Sequence, residues 1–114
     1  MSERELPTMK PDLERFLRNM PFETGFHFTT ERGVYTGITA ISLPDFALKL
    51  QTIDVNSILF HYPRGDFQKW IQNTLGDEEL ANRMCFIKAS LSGEELRDQL
   101  VKIVLKRISE LKYP

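Results

Sequence analysis

Residues 60–70, FHYPRGDFQKW, gather a histidine, an arginine, an aspartate, a proline–glycine turn and the only tryptophan of the chain. A histidine close to a carboxylate can hold or pass a proton, and an arginine beside them can clamp an anion. His61, Arg64 and Asp66 are therefore candidates for a small polar-ligand site. Trp70, with Phe60, Tyr62 and Phe67, offers a stacking surface for a base or a sugar. The same residues have a structural reading. An imidazole at a helix C-terminus is favourably placed as a cation, Asp66 can accept its N–H, and the pair would then lock a corner. Aromatic residues at helical spacing also belong to a core.

Elsewhere the chemistry is thin. His27 stands on the polar face of a strand. Cys85 sits between apolar neighbours in MCFI, which predicts a small buried hydrophobe rather than a reactive thiolate. The carboxylate groups at 77–79 and 94–95 fall in first turns of helices, where negative charge complements the helix dipole. Phosphate-binding glycine loops, nucleophile elbows and metal-protease motifs are absent from the sequence. A metal would have to draw on His27, His61 and carboxylates from distant segments, so neither a metal nor a cofactor is expected.

These residues must be positioned by elements whose periods are legible. Leu13, Phe16, Leu17 and Met20 form one stripe of a short helix between Pro11 and Pro21. Residues 24–40 alternate β-branched and aromatic side chains around ERG, which predicts a hairpin with a three-residue loop at 31–33 and Gly33 supplying a positive φ. That register sets Thr30 opposite Val34, Phe28 opposite Thr36 and Phe26 opposite Ile38, with Phe26, Phe28, Val34 and Ile38 sharing a face. Ser42 and Asp45 predict a capping box for a helix burying Phe46, Ala47, Leu50 and Ile53. Asn56 or Ser57 would cap the next helix, and Pro63 would stop it. Asp66 would cap a helix ending at Gly76, and Asp77 one reaching Ile87. Ser92 and Glu95 open a last helix of about 20 residues, about 30 Å long. Its inward stripe is Leu96, Leu100, Ile103, Val104, Ile108 and Leu111, and Asp98–Lys102 forms an i,i+4 pair. Val101 and Leu105 widen the apolar face, so Val101, Leu105 and Ile108 are candidates for a dimer or partner interface. The expected fold is α+β: an antiparallel hairpin on a bundle of about five helices.

SILFH followed by DFQKWIQNTLGDEELANRM resembles a family of small archaeal and bacterial domains of unknown function. The likeness rests on Thr36-Gly37, on Ser42, Leu43 and Phe46, and on Ser57 to His61. It continues through Asp66, Phe67 and Trp70, then Leu75 to Ala81, and ends on Leu96 and Arg97. It covers roughly residues 24–111. Similar sequences carry a longer stretch between the histidine and D-F-x-x-W, where this chain has only Tyr-Pro-Arg-Gly. The resemblance implies one intact domain and an accessory or regulatory role; by its length the chain reads as a single domain over residues 1–114, whose polar opening, 1–10, is expected to fray.

At 114 residues with 41% hydrophobic and 27% charged residues, the chain can bury a core of its own. Its net charge of −1 disfavours binding through nucleic-acid phosphates. Such binding would need Lys10, Arg15 and Arg18, or Lys102, Lys106 and Arg107, to converge on one surface. No apolar run is long enough for a membrane span or a secretory signal, so a cytoplasmic location and no membrane partner are expected. The leading expectation is a non-enzymatic accessory, regulatory or protein-interaction module that binds a protein or itself. A small-ligand sensor or enzyme at His61, Arg64 and Asp66 is the alternative.

Overall fold

A computed structural model describes residues 14–88 and 90–113; the polar stretch 1–10, Pro11 and Leu13 lie outside them. The chain order is β1 (Phe26–Thr29), β2 (Tyr35–Ala40), α1 (Leu43–Leu50), α2 (Val55–Arg64), α3 (Asp66–Lys69), α4 (Glu78–Met84) and α5 (Gly93–Lys112). α3 continues without a break into a π-helical segment, Trp70–Leu75. The architecture is α+β, a two-stranded antiparallel hairpin packed on helices.

The first helix ends before its stripe does. Among the described residues it covers 14–17, and Met20 is buried from the segment beyond it, where its N–H donates to Ile41 O at 2.8 Å. The hairpin keeps the expected pairing only beside its loop, where Thr30 N–H donates to Val34 O at 2.8 Å. Past it the register moves by two, from Thr29↔Tyr35 to Phe28↔Ile38 and Phe26↔Ala40. Thr36 and Gly37 take up the slack as a bulge. Gly37 adopts φ 88°, open to a residue without Cβ. Thr36 Oγ1 donates to Phe28 O at 2.8 Å and accepts the Ile38 N–H at 3.2 Å. Because the slip is even, Phe26, Phe28 and Ile38 stay on one face. Val34 does not join them; it lies on the loop side of the bulge and is exposed.

Helix ends follow the capping chemistry in most places. Ser42 Oγ accepts from Asp45 N–H, Asp77 caps α4, and Ser92 and Glu95 complete a capping box at α5. Gly76, at φ 92°, closes the π-helical segment. Three ends differ. Asp54, not Asn56 or Ser57, caps α2 by accepting from Asn56 N–H at 2.8 Å. Pro63 does not stop α2, which runs on to Arg64 and ends at Gly65 with φ 75°. Proline forfeits one amide bond, yet the last turn still closes because Gly65 N–H reaches Tyr62 O at 3.0 Å. Asp66 makes no side-chain cap on α3, since its carboxylate is turned back toward α2. α4 ends at Met84, so Cys85 and Phe86 leave the helical period and Cys85 is exposed rather than buried.

The core joins the inner face of the hairpin (Phe26, Phe28, Ala40) to α1, α2, α3 and the inward stripe of α5. Gly25 lets the hairpin close tightly: a Cβ there would lie 2.6 Å from Ala40 O and 2.8 Å from Thr39 Cγ2. Gly25→Ala is expected to cost about 1–3 kcal/mol through this clash with backbone. It would be read as a lower urea midpoint at unchanged slope.

Candidate functional site

α2 presents Ser57 and His61 one turn apart, on the face that meets β1. Thr29 N–H donates to His61 Nε2 at 2.9 Å, and Ser57 Oγ donates to Thr29 O at 2.6 Å. Successive residues of a strand point their amides alternately left and right, so Thr29 turns its polar groups away from β2. A hydroxyl and an imidazole at i and i+4 therefore bond Thr29 on both sides as a third strand would. His61 Nε2 can accept the Thr29 amide only if it carries no proton. The proton is then on Nδ1, which donates to Asp66 Oδ2 at 2.9 Å. Arg64 Nε donates to the same Oδ2 at 2.9 Å, and its guanidinium lies over the Phe60 ring, 4.6 Å from the centroid.

The imidazole is held among phenylalanines: Phe26 at 4.8 Å, Phe60 at 5.0 Å, Phe67 at 5.5 Å and Phe28 at 6.3 Å between ring centroids. Burial pushes its pKa down, and this outweighs the bond and charge of Asp66, which push it up. Burial alone would raise the Asp66 pKa. The bonds from His61 and Arg64, with the charge on Arg64, overcome that and hold it below the ordinary carboxylate value. The corner is thus a neutral imidazole bonded to an ionised carboxylate. This differs from the imidazolium expected at a helix end, because burial among aromatic rings outweighs the helix dipole.

The sequence His61, Asp66 and a hydroxyl, Thr29 Oγ1 at 3.2 Å from Nε2, has the outline of a hydroxyl–imidazole–carboxylate relay. A general base needs a free lone pair on Nε2. Here that lone pair already accepts the amide of Thr29 itself, at the shorter distance of 2.9 Å. Imidazole nitrogen has a single in-plane lone pair, so the hydroxyl is left with the poorer geometry. What the arrangement does best is docking β1 onto α2.

Trp70 is buried and its indole N–H donates to Thr24 O at 2.9 Å, while its ring packs 5.8 Å from Phe26 and 5.4 Å from Phe46. It anchors the core below the hairpin and sits apart from the exposed Arg64. Ile108 likewise lies in the core, Val101 is half-buried, and Leu105 is 47% exposed.

Several of the basic side chains are already paired within the chain among the described residues. Arg107 is turned inward, where Nε donates to Asp77 Oδ2 at 2.8 Å and Nη2 to Oδ1 at 3.1 Å. Lys102 pairs with Asp98 at 3.0 Å, Arg18 donates to Thr74 O at 2.7 Å, and Lys10 lies outside the described residues. Among the described residues no group of three or more His, Cys, Asp or Glu could hold a metal ion, and no helix is long and apolar enough to cross a membrane.

The sequence reads Ser57 and Asp77 as helix caps and Arg107 as a possible phosphate contact, and it does not single out Thr29; the bonds that these four make here are not among those readings. The i,i+4 spacing of Ser57 and His61 was a usable signal that both face one way. The union of Asp77 with Arg107, across thirty positions, had none. No family model, curated protein or solved structure matches the chain.

Proposed function

We propose that this chain is a non-enzymatic protein-interaction module of accessory or regulatory type. The observation that carries the reading is a groove of about 370 Å³ between α1 and α5, lined by Gln51, Glu94, Arg97, Asp98, Val101 and Leu105. Its apolar residues stand on a framework made rigid by Arg97, which donates to Leu50 O at 2.7 Å and to Glu94 Oε1 at 2.9 Å. An apolar strip with a polar rim on paired helices is the anatomy of a contact surface. By contrast, the polar groups of the His61–Arg64–Asp66 corner bond one another and Thr29. That weighs against the small-ligand reading. We place the module in the cytoplasm, where an exposed lone thiol such as Cys85 stays reduced.

Immobilised protein is expected to retain a binding partner, another chain or its own, that a Leu105→Glu variant of equal thermal stability fails to retain. Equal retention by both, or retention by neither, overturns the proposal. Leu105 is exposed enough for the substitution to leave the core intact.

A further inference from the structure

α5 carries two stripes. The inward one buries Leu96, Leu100, Val104, Ile108 and Leu111. Beside it run Glu94, Asp98, Val101 and Leu105, and past the buried Ile108 the same face reaches Lys112. Steps of four and three residues keep these side chains on one side of the helix. The stripe is chemically graded. Glu94 and Asp98 stand at its N-terminal end, Val101 and Leu105 in the middle, and Lys112 at its C-terminal end.

The grading selects an occupant. If two copies of α5 paired in parallel, Glu94 would meet Glu94 and Lys112 would meet Lys112. If they pair antiparallel about a two-fold axis at residue 103, residue i meets residue 206−i of the other chain. Val101 then faces the partner's Leu105, Leu105 faces the partner's Val101, and each Glu94 meets the partner's Lys112, while Asp98, level with the partner's buried Ile108, stays at the rim on its bond to Lys102. A two-fold interface requires such self-complementarity, and a stripe acidic at one end and basic at the other has it. The end charges are accessible for the purpose. The Glu94 side chain is 72% exposed beyond its bond to Arg97, and Lys112 is exposed with no ion pair among the described residues. Leu48, one helical turn before Gln51 near the end of α1, is 62% exposed.

Resting on the interaction-module reading, we propose that the α1–α5 groove is occupied by a second copy of this chain, with the two α5 helices antiparallel and Val101 packed against the partner's Leu105.

Sedimentation velocity over a wide concentration range is expected to show a monomer–dimer equilibrium. Leu105→Glu should raise its dissociation constant about thirtyfold or more, as for loss of a central apolar anchor. Glu94→Lys should weaken it more mildly, and Glu94→Lys combined with Lys112→Glu should restore it. Register is read by oxidation in a Cys85→Ser background. A chain bearing Val101→Cys mixed with one bearing Leu105→Cys is expected to cross-link, while either alone cross-links poorly. Efficient cross-linking of each alone would indicate parallel helices and overturn the proposal. A wild type that stays monomeric at every concentration also overturns it, yet leaves the interaction module standing if the immobilised protein still retains a different chain through Leu105. A dimer insensitive to Leu105→Glu overturns the groove as its seat.

Discussion

Arg107→Met is expected to destabilise the protein by about 3–5 kcal/mol, because it leaves a buried carboxylate without its cation. Asp77 has no exposed side-chain surface and Arg107 has 15%. Their bond is bidentate, at 2.8 and 3.1 Å, and Asp77 Oδ1 also caps α4 by accepting the Leu80 N–H at 3.1 Å. Burial works against the charge on Arg107, but Asp77 and Glu110 outweigh it and raise the pKa of the guanidinium. Much of the expected loss is the penalty of stranding Asp77, not the worth of the contact. The double variant Asp77→Asn with Arg107→Met keeps an acceptor for Leu80, removes the stranded charge, and should therefore recover a large part of the stability. Urea unfolding of the two single variants and the double variant checks this. A double variant as unstable as Arg107→Met would mean that packing around the arginine stem, and not the charge, sets the effect.

The second large effect is expected at His61. His61→Ala should cost about 3 kcal/mol, from a half-buried Thr29 N–H left without an acceptor and a void among the phenylalanines. The edge of β1 should loosen first, seen as faster amide exchange at Thr29 than at Phe28. The wild type should also lose stability on acidification in a defined window. In the unfolded chain His61 titrates near its ordinary value of about 6.5. In the folded chain burial lowers it. Between those two values the unfolded state binds more protons, so stability is full above about pH 6.5 and declines as pH falls through the folded value. The lowered Asp66 pKa adds a second loss at more acid pH, as that carboxylate takes up its proton below the unfolded carboxylate value. Thermal unfolding across this range should show the first decline in wild type and a flatter profile in His61→Gln. An unchanged profile in the variant would assign the decline to other groups.

These two sites differ in how visible they were beforehand. The bond between His61 and Asp66 was readable because both lie within one short corner, where sequence distance limits spatial distance. The use of that corner was not. Burial of the imidazole depends on four phenylalanines from three elements, and its lone pair is taken by an amide thirty-two positions upstream. Asp66 reads as a helix cap because aspartate is favoured at the start of a helix. Gly65 instead turned the chain so that the carboxylate faces back to His61 and Arg64. Asp77 was read as a cap and is one, but its role as the partner of Arg107 depends on how α5 lies across α4.

Local chemistry therefore set the helices, their caps at Ser42, Asp77 and Ser92, the inward stripe of α5 and the two faces of the hairpin, because each depends on residues within a turn or two. The buried Asp77–Arg107 pair came from packing, a contact between segments thirty positions apart. The register slip at Thr36–Gly37, the passage of α2 through Pro63 and the exposure of Cys85 depend on how the chain closes at those points. At Pro63 the bond from Gly65 N–H to Tyr62 O completes the last turn past a residue that costs about 3 kcal/mol in a helix interior. The same division holds for the corner in FHYPRGDFQKW. Its residue types announced proton chemistry, and the strand laid against it turned that chemistry into a joint.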